Sequence, residues 1–584
     1  MKFPTHLAKV LIAVFTFLFA PLSFGQDEEK LGVLEQISLN IDNGLGPIAD
    51  FVGGIVFYSI PIAGQSLPIV LIILGGTAVF LTIYFGFINF RGFVIAIKTA
   101  TGKYTPKDAP GEITHFQALS AALSATVGLG NIAGVAVAIG LGGPGATFWM
   151  ILMGLFGMTT KFAECTLGVK YRKIDPNGKV RGGGMYYLRD GLKERGMGGF
   201  GAVLALVFAV FVIGGAFGAG NMFQANQAFS QFESSWAPGL SPVIFGLVIA
   251  ILVGAVIIGG IVWIARVTSF LVPIMCIGYM LTALIIIGMN LDKVGGAFAI
   301  IFASAFSSQA VGGGFVGILI QGIKRAAFSN EAGLGSAPIA HSAVKTDKPA
   351  SEGFVALLEP FTDTVVVCTM TALVIVIVGT WQVSGEITES AGMVSDPAYP
   401  EVVQTLEPGQ FVHTKGSRTR DVEGGETEEW KEVIGLISAD YEETKVTGWV
   451  RADQIQSRAG IPVTSMAFAS AIKWFPRLLA IAVLLFAFST MISWSYYGEQ
   501  GVRYLARLTG SEKAPDICVL VYKVVFCLLI IVGASAQLSN VINLSDALIF
   551  AMVVPNMIGL YVLLPVVKEE ANKFLDHVRS VEGK

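Results

Sequence analysis

Charge is scarce in this sequence. Only 14% of its 584 residues are charged, 53% are hydrophobic, and the mean hydropathy is +0.68. Soluble globular chains carry about a quarter charged residues, so this composition excludes an ordinary water-soluble protein. Cysteine is scarce too. Cys165, Cys276, Cys368, Cys518 and Cys527 all fall in apolar segments without paired metal spacing, which argues for small hydrophobes rather than a disulfide framework or a zinc site. Phosphate-binding P-loops and HExxH zinc motifs are missing, and the five histidines are scattered. Nothing points to an enzyme or to a cofactor. Lys and Arg number 39 against 42 Asp and Glu, with no basic patch suited to nucleic acid.

Long apolar runs fill the space that charge leaves. Many approach the roughly 20 residues needed to cross a bilayer, so an all-α polytopic membrane protein is expected. Residues 1–25 read as a signal peptide: Lys2 and Lys9 flank a short apolar core, and Ser23-Phe24-Gly25 offers a small-x-small cleavage site. An uncleaved first helix is the alternative. Residues 26–66 read as a periplasmic or interfacial segment. Eleven spans follow, in a first core part over 67–383 and a last part over 464–567. Arg91, Lys98 and Lys103 follow the first span, and Lys170 to Arg195 follow the third. Further basic residues stand at Arg266, Lys324, Arg325, Arg503, Arg507 and Lys568. This alternation sets those loops and the 568–584 tail in the cytoplasm. It sets the mature N-terminus and the 382–463 loop in the periplasm of a bacterial inner membrane.

Two apolar, uncharged stretches are broken at their centres. Ser120 to Gly145 carries Gly128, Gly130, Asn131 and Gly134, and Phe302 to Gln321 carries Ser307-Ser308-Gln309 and Gly312-Gly313-Gly314. Glycine weakens a helix interior, and an Asn at bilayer depth needs a partner. Close packing through the GxxxG spacing of Gly130 and Gly134 is one reading. The other is a pair of discontinuous helices, the way many transporters build an ion and substrate site. A dehydrated sodium ion needs about five or six oxygens, by analogy with other hard cations. The neighbourhood of Asn131, including Ser124 and Val127, can offer them, with Ser489, Thr490 and Ser493 as facing candidates. Bonding of those hydroxyls to their own helix is the plainer alternative. The backbone donors around Gly128 to Asn131 suit an amino-acid carboxylate. Gln224 either lines the pathway or caps a helix end. Phe306 and Phe315 are candidates for closing the cavity around a small substrate.

Other ionisable groups read as structural. Lys161 and Glu164 are spaced for an i,i+3 pair. Glu359 and Asp363 are placed near the inner end of the eighth span, as interfacial caps or, alternatively, as a gate or proton site. The 384–463 loop is polar, and its strand-like composition suggests a small β-rich extramembrane domain at 404–457, with an irregular loop as the alternative.

The motifs ATVGLGNIAGVAVAIGLGGPGATFWM, GMTTKFAECTLGVKYR, GNMFQANQ, FSNEAGLGSAPIAHSA and LFAFSTMISWSYYGEQ together resemble the alanine or glycine:cation symporter family, the sodium:alanine symporters. The resemblance implies a LeuT-type fold with inverted five-span repeats and one extra leading helix. It implies alanine or glycine as substrate and sodium as coupling ion. It places Gly128, Gly130 and Asn131, with Ser307, Gln309 and Gly312, at substrate or ion. Val127, Ser489 and Thr490 would form the sodium site, and FSNEAGLGSAP would shape the inner gate. Transport of another amino acid, proton coupling, or an amino-acid sensor that signals through the insert are the rival expectations. The long outer loop departs from the family pattern.

Overall fold

The computed structural model describes residues 44, 46–47, 49–62, 65–106, 108–307, 314–382, 385–387, 390–407, 410–421, 427–437, 443–457, 460–471 and 474–583. The expected signal segment at 1–25 lies outside these residues. A hairpin of β1 (Ser59–Ile62) and β2 (Gln65–Pro68) leads into α1 (Ile69–Tyr84). Next come α2 (His115–Thr126), α3 (Ala133–Gly142) and α4 (Gly145–Lys170). Helices α5 (Gly198–Phe217) and α6 (Phe223–Trp236) are joined by a π turn at Gly218–Met222. The first half closes with α7 (Pro242–Ile257) and α8 (Gly260–Met289).

The second half begins with α9 (Leu291–Ala305) and α10 (Gly314–Asn330). A short α11 (Pro338–His341) precedes α12 (Pro349–Ala356), which runs through a π segment at Phe361–Cys368 into α13 (Thr369–Val378). After the insert come α14 (Ile461–Ala471), α15 (Phe475–Arg507), α16 (Ala514–Ser535), α17 (Leu538–Phe550) and α18 (Val553–Glu582).

Among the described residues seven helical runs are long and apolar enough to cross a membrane. Eleven spans were expected. The difference falls on pieces that are short or interrupted: α1 and α7 have 16 residues each, α10 has 17, and the second expected span is divided into α2 and α3. The outer helices are apolar all round. In α8, Val272, Met275, Tyr279 and Ala283 face the core, while Phe270, Ile274, Ile277, Leu281 and Leu284 are exposed. Such a face is stable only against hydrocarbon.

Basic loops gather at one end of the bundle. Glu582 at the end of α18 accepts from Lys98 Nζ and Tyr104 Oη, both at 2.7 Å, and Lys170 pairs with Glu570 at 2.7 Å. Arg172 donates to the carbonyls of Pro110, Ser342 and Thr346. The loop after α5's predecessor, the 338–348 stretch and the C-terminal helix therefore share one face.

Among the described residues the insert forms a seven-stranded antiparallel sheet, wider than the 404–457 expected. Its strands are β3 (Gly385–Ile387), β4 (Ala391–Asp396), β5 (Tyr399–Leu406), β6 (Phe411–Asp421), β7 (Thr427–Ile437), β8 (Glu443–Arg451) and β9 (Ile455–Ser457), in the order β9-β3-β6-β7-β8-β4-β5. It has its own small core of Ile387, Met393, Leu406, Val412, Val433, Leu436 and Val450. The first and last strands pair with each other, with Gly385 opposite Ser457.

Candidate functional site

The site begins where α2 stops. Thr114 starts that helix with a reciprocal capping box: its hydroxyl accepts from Gln117 N–H, and Gln117 Oε1 accepts from Thr114 N–H. Helical bonding ends with Val127 N–H to the Leu123 carbonyl at 2.6 Å. Residues 128–132 are not helical, and α3 begins at Ala133. The interruption is held by side chains. Asn131 Oδ1 accepts from Gly128 N–H at 2.8 Å, and Gln224 Oε1 accepts from Leu129 N–H at 3.2 Å. Donors freed by breaking a helix inside a bilayer must find such partners. Gln224, between pathway and cap as alternatives, thus meets the break directly; its Nε2 donates to the Ala219 carbonyl at the π turn of α5–α6. Gly128 admits nothing larger: a Cβ there would stand 2.4 Å from Thr490 Oγ1.

Beside this break lies a cluster of hydroxyls. Ser124 Oγ donates to the Ser489 carbonyl at 2.6 Å, Thr490 Oγ1 donates to the Ser124 carbonyl at 3.0 Å, and Ser493 Oγ donates to Ser124 Oγ at 3.0 Å. All four residues are buried; the Ser124, Thr490 and Ser493 hydroxyls and the Ser489 carbonyl join α2 to α15, while Ser489 Oγ donates within its own helix to the Phe486 carbonyl at 2.9 Å. Ser124, Val127, Ser489 and Thr490 are thus brought together, with Asn131 four residues past Val127.

On the opposite side Asn131 Nδ2 donates to the Asp363 carboxylate, to the Asp363 carbonyl at 3.1 Å, and toward Cys368 Sγ at 3.4 Å. Ser329 Oγ donates to Asp363 Oδ2 at 2.9 Å, and Thr364 Oγ1 donates to the same oxygen at 2.6 Å. Asp363 is fully buried in the π segment. The expectation of an interfacial cap near the inner end of the span is corrected: the carboxylate stands at the helix interruption. π turns often mark such functional sites.

The second expected broken stretch is described only in part. Helix α9 does end at Ala305, but Gln309 and Gly312 lie outside the described residues. Ser307, whose N–H donates to the Ser304 carbonyl at 3.2 Å, follows the end of α9. Phe306 is 50% exposed and packs on Phe148, Trp149 and Phe302. Among the described residues, the segment that reaches Asn131 is the end of α10. Gly130 lies against Phe328 and Ser329, and the buried Phe223 and Phe328 meet edge to face at 5.2 Å. Phe306 and Phe315 stack on one another at 6.3 Å, against Trp149.

Helix α10 stops at Asn330. Glu331 takes a left-handed conformation, φ 58°, rare for a residue with a side chain, and Gly333 and Gly335 follow with φ of 93° and 76°. Residues 331–337 are unwound yet buried. Glu331 accepts from Trp494 Nε1 at 2.9 Å and from Ser336 Oγ. FSNEAGLGSAP is therefore itself an interruption beside Asn131.

A buried ionic layer continues from there. Lys161 pairs with Glu359 at 2.8 Å, both fully buried, and not with Glu164 as the i,i+3 spacing suggested. A carboxylate on the facing helix outcompetes one along its own helix, because Glu164 is turned to Asn556 Nδ2 and to Gly335 N–H. Glu352 is held between His341 Nδ1, at 2.6 Å, and His115 Nδ1. Lys324 and Arg325, expected to mark the inner boundary, both pair with the buried Asp546 of α17.

Interrupted helices that present buried polar groups at the heart of a lipid-facing bundle are the architecture of a membrane transporter, not an enzyme. The profile described as the Sodium:alanine symporter family matches residues 57–405 and 444–583, and the chain belongs to that family. It is 38% identical over 518 residues to the sodium/alanine symporter AgcS of Methanococcus maripaludis, covering 88% of this chain and 96% of that one. It is 31% identical to a probable sodium/glutamine symporter, GlnT, of Bacillus subtilis, over 78% of this chain and 77% of the relative. Identity is also 31% to YrbD of Bacillus subtilis, described as a putative sodium/proton-dependent alanine carrier, over 78% and 80%. A solved structure, MhsT in complex with L-phenylalanine, aligns with a TM-score of 0.42 at 14% identity, covering 79% of this chain and 99% of that chain.

Proposed function

We propose that this protein takes up alanine, with glycine as a smaller alternative, by sodium symport across a bacterial inner membrane. The observation that carries the reading is the buried cluster of the Ser124, Thr490 and Ser493 hydroxyls with the Ser489 carbonyl at the end of α2. Orphan carbonyls at a helix end together with hydroxyl oxygens make a dry, oxygen-rich site. Such a site suits sodium. In this reading Val127, Ser124, Ser489 and Thr490 hold the ion. Gly128 to Asn131 and Phe328 to Asn330, with Gln224, hold the amino acid. Phe223 and Phe328 limit its size, which favours a methyl side chain. The basic loops and the C-terminal helix, gathered at one end, are assigned to the cytoplasm, and the sheet to the periplasm. Two inverted five-span repeats in the LeuT manner, rocking about the interrupted helices, give alternating access. Ion and substrate stabilise the same occluded state, so each raises the affinity for the other.

The test is uptake of labelled L-alanine into proteoliposomes under an inward sodium gradient, with a matched potassium control. Accumulation is expected only with sodium. Thr490→Ala should raise the half-saturating sodium concentration by about tenfold or more, the equivalent of about 1.4 kcal/mol. Accumulation driven by a pH gradient and indifferent to sodium would replace the reading with proton coupling. Binding without accumulation would favour a sensor.

Gly128→Ala gives a steric check on the same site. Its new methyl group must displace Thr490 Oγ1 from 2.4 Å, and overpacking typically costs about 1–3 kcal/mol. Sodium activation of uptake is expected to weaken by about tenfold. An unchanged sodium titration in this variant would place the ion elsewhere.

A further inference from the structure

His341 closes α11, the short helix that follows the interruption at 331–337, and it lies outside the seven spanning runs. Both nitrogens of its buried ring face carboxylate oxygens. Nδ1 meets Glu352 Oε1 at 2.6 Å, and Nε2 faces Glu359 Oε2 at 3.5 Å. A neutral imidazole carries one proton, so one of its nitrogens would turn a lone pair toward a carboxylate. Only the imidazolium suits both neighbours. Charge counting agrees. Lys161 balances Glu359, which leaves Glu352 to one imidazolium. The other ring on Glu352 is that of His115, through Nδ1. It needs no charge, because its Nε2 stands 2.6 Å from Thr105 Oγ1, a hydroxyl that can donate to it.

These contacts tie separate elements to one point. Glu352 of α12 holds His115, the first residue of α2, and His341, the last of α11. Both interrupted helices are thus pinned to one carboxylate at the end of the bundle where the basic loops gather. Arg172 reinforces the place from the loop after α4, donating to the carbonyls of Ser342 and Thr346. The other ionisable groups of this corner are committed or buried. On α4, Lys161 holds Glu359, Glu164 accepts from Asn556 and Gly335, and the Cys165 thiol is buried. Glu331 is held by Trp494 and Ser336, and Tyr497 of α15 is buried near Glu331 and Glu359. Burial opposes the charge on His341, but the hydrogen bonds and charges of Glu352 and Glu359 outweigh it and raise its pKa to about 9. Glu352, His115 and the half-buried Thr105 form a chain of contacts from the ring toward the surface.

We infer that His341 is a pH-operated latch on the cytoplasmic side: as an imidazolium it holds α11 and, through Glu352, α2 against α12, and loss of its proton to an alkaline cytoplasm releases them. The inference rests on the symport reading above and adds a control to it. Its sign follows from linkage. The latched state binds the proton more tightly than the released state, where the ring has its ordinary value of about 6.5. The latch is therefore fully made below about pH 6.5 and is lost as the pH rises through about 9. Deprotonation turns the Nε2 lone pair toward Glu359 and leaves Glu352 buried without a counter-ion, which favours separation. Opening toward the cytoplasm is hindered by an acid interior and eased by an alkaline one. A cell that acidifies would thereby slow its own sodium entry through this protein.

Initial rates of labelled L-alanine uptake into right-side-out membrane vesicles carrying the full chain test this. The inward sodium gradient is fixed, and the interior pH is stepped from about 6.5 to about 9.5, across the ordinary and the raised imidazole values. Wild type is expected to accelerate by about tenfold over that range. The gain should persist when the exterior is set to the same pH as the interior, because no proton gradient drives it. His341→Gln, which can hydrogen-bond without titrating, is expected to run at the fast rate at every pH. His115→Gln is expected to keep the step. A wild-type rate that does not rise overturns the proposal, as does a rise in His341→Gln equal to that of wild type. A step abolished by His115→Gln overturns it too, by moving the sensor to that ring. A gain that vanishes with the proton gradient overturns it in favour of proton coupling. Should His341→Gln fail to reach the membrane, the wild-type profile and His115→Gln decide. A wild type that accumulates no alanine with sodium at any interior pH overturns the symport reading instead.

Discussion

Replacement of Lys161 by methionine is expected to destabilise the protein by about 3–5 kcal/mol, the usual consequence of removing one partner of a buried ion pair. Lys161 and Glu359 are both fully buried and 2.8 Å apart. The variant leaves Glu359 in an apolar bundle with His341 Nε2 3.5 Å away as its remaining ionic neighbour. Thermal unfolding in a fixed detergent and lipid mixture should show a markedly lower midpoint, or the variant should fail to yield monodisperse protein. Lys161→Met combined with Glu359→Leu removes both charges and should recover much of the loss. If Lys161→Met is as stable as wild type, the pair is not the ionic tie that its geometry suggests.

Asn131→Ala is the second large effect, and it acts on uptake. The side chain satisfies Gly128 N–H and donates to Asp363. Its removal strands a backbone donor and a carboxylate where no bulk water competes. An unsatisfied buried group costs about 1–3 kcal/mol, and more when charged. A combined penalty near 3 kcal/mol corresponds to a loss of about a hundredfold. Initial rates of alanine uptake at low sodium should fall by about that factor. Uptake within about twofold of wild type would show that the α2–α3 interruption is not the centre of the site.

The first break was legible because its signals are local. Gly128, Gly130 and Asn131 interrupt an otherwise apolar run, and no soluble loop has that composition. The interruption at Glu331 was not legible, for a physical reason. Glycine richness draws attention to Gly312–Gly314, and FSNEAGLGSAP enters only as a segment that the resemblance implies shapes the inner gate. In the folded chain Glu331 is buried against Trp494 and Ser336. A charge tells of water only when nothing in the protein answers it, and the answering indole lies 163 residues away. Lys324 and Arg325 misled in the same way. Counting basic residues locates a membrane boundary only for cations that stay unpaired in solvent, and Asp546 removes these two from the count. Asp363 could be noticed in sequence as an acid near a span, but its meeting with Ser329 and Asn131 is a product of three elements and has no local signature.

The pairing of Gly385 with Ser457 has an engineering consequence. The sheet leaves and rejoins the helical bundle through adjacent strands, so its two attachment points are already as close as neighbours in a ladder, about 5 Å apart. The family profile is itself discontinuous between 405 and 444, within this sheet. A cassette anchored in this way can be excised and its stumps sealed by a short glycine linker without stretching α13 or α14. The same junction is a natural graft point for a fluorescent reporter or an affinity handle.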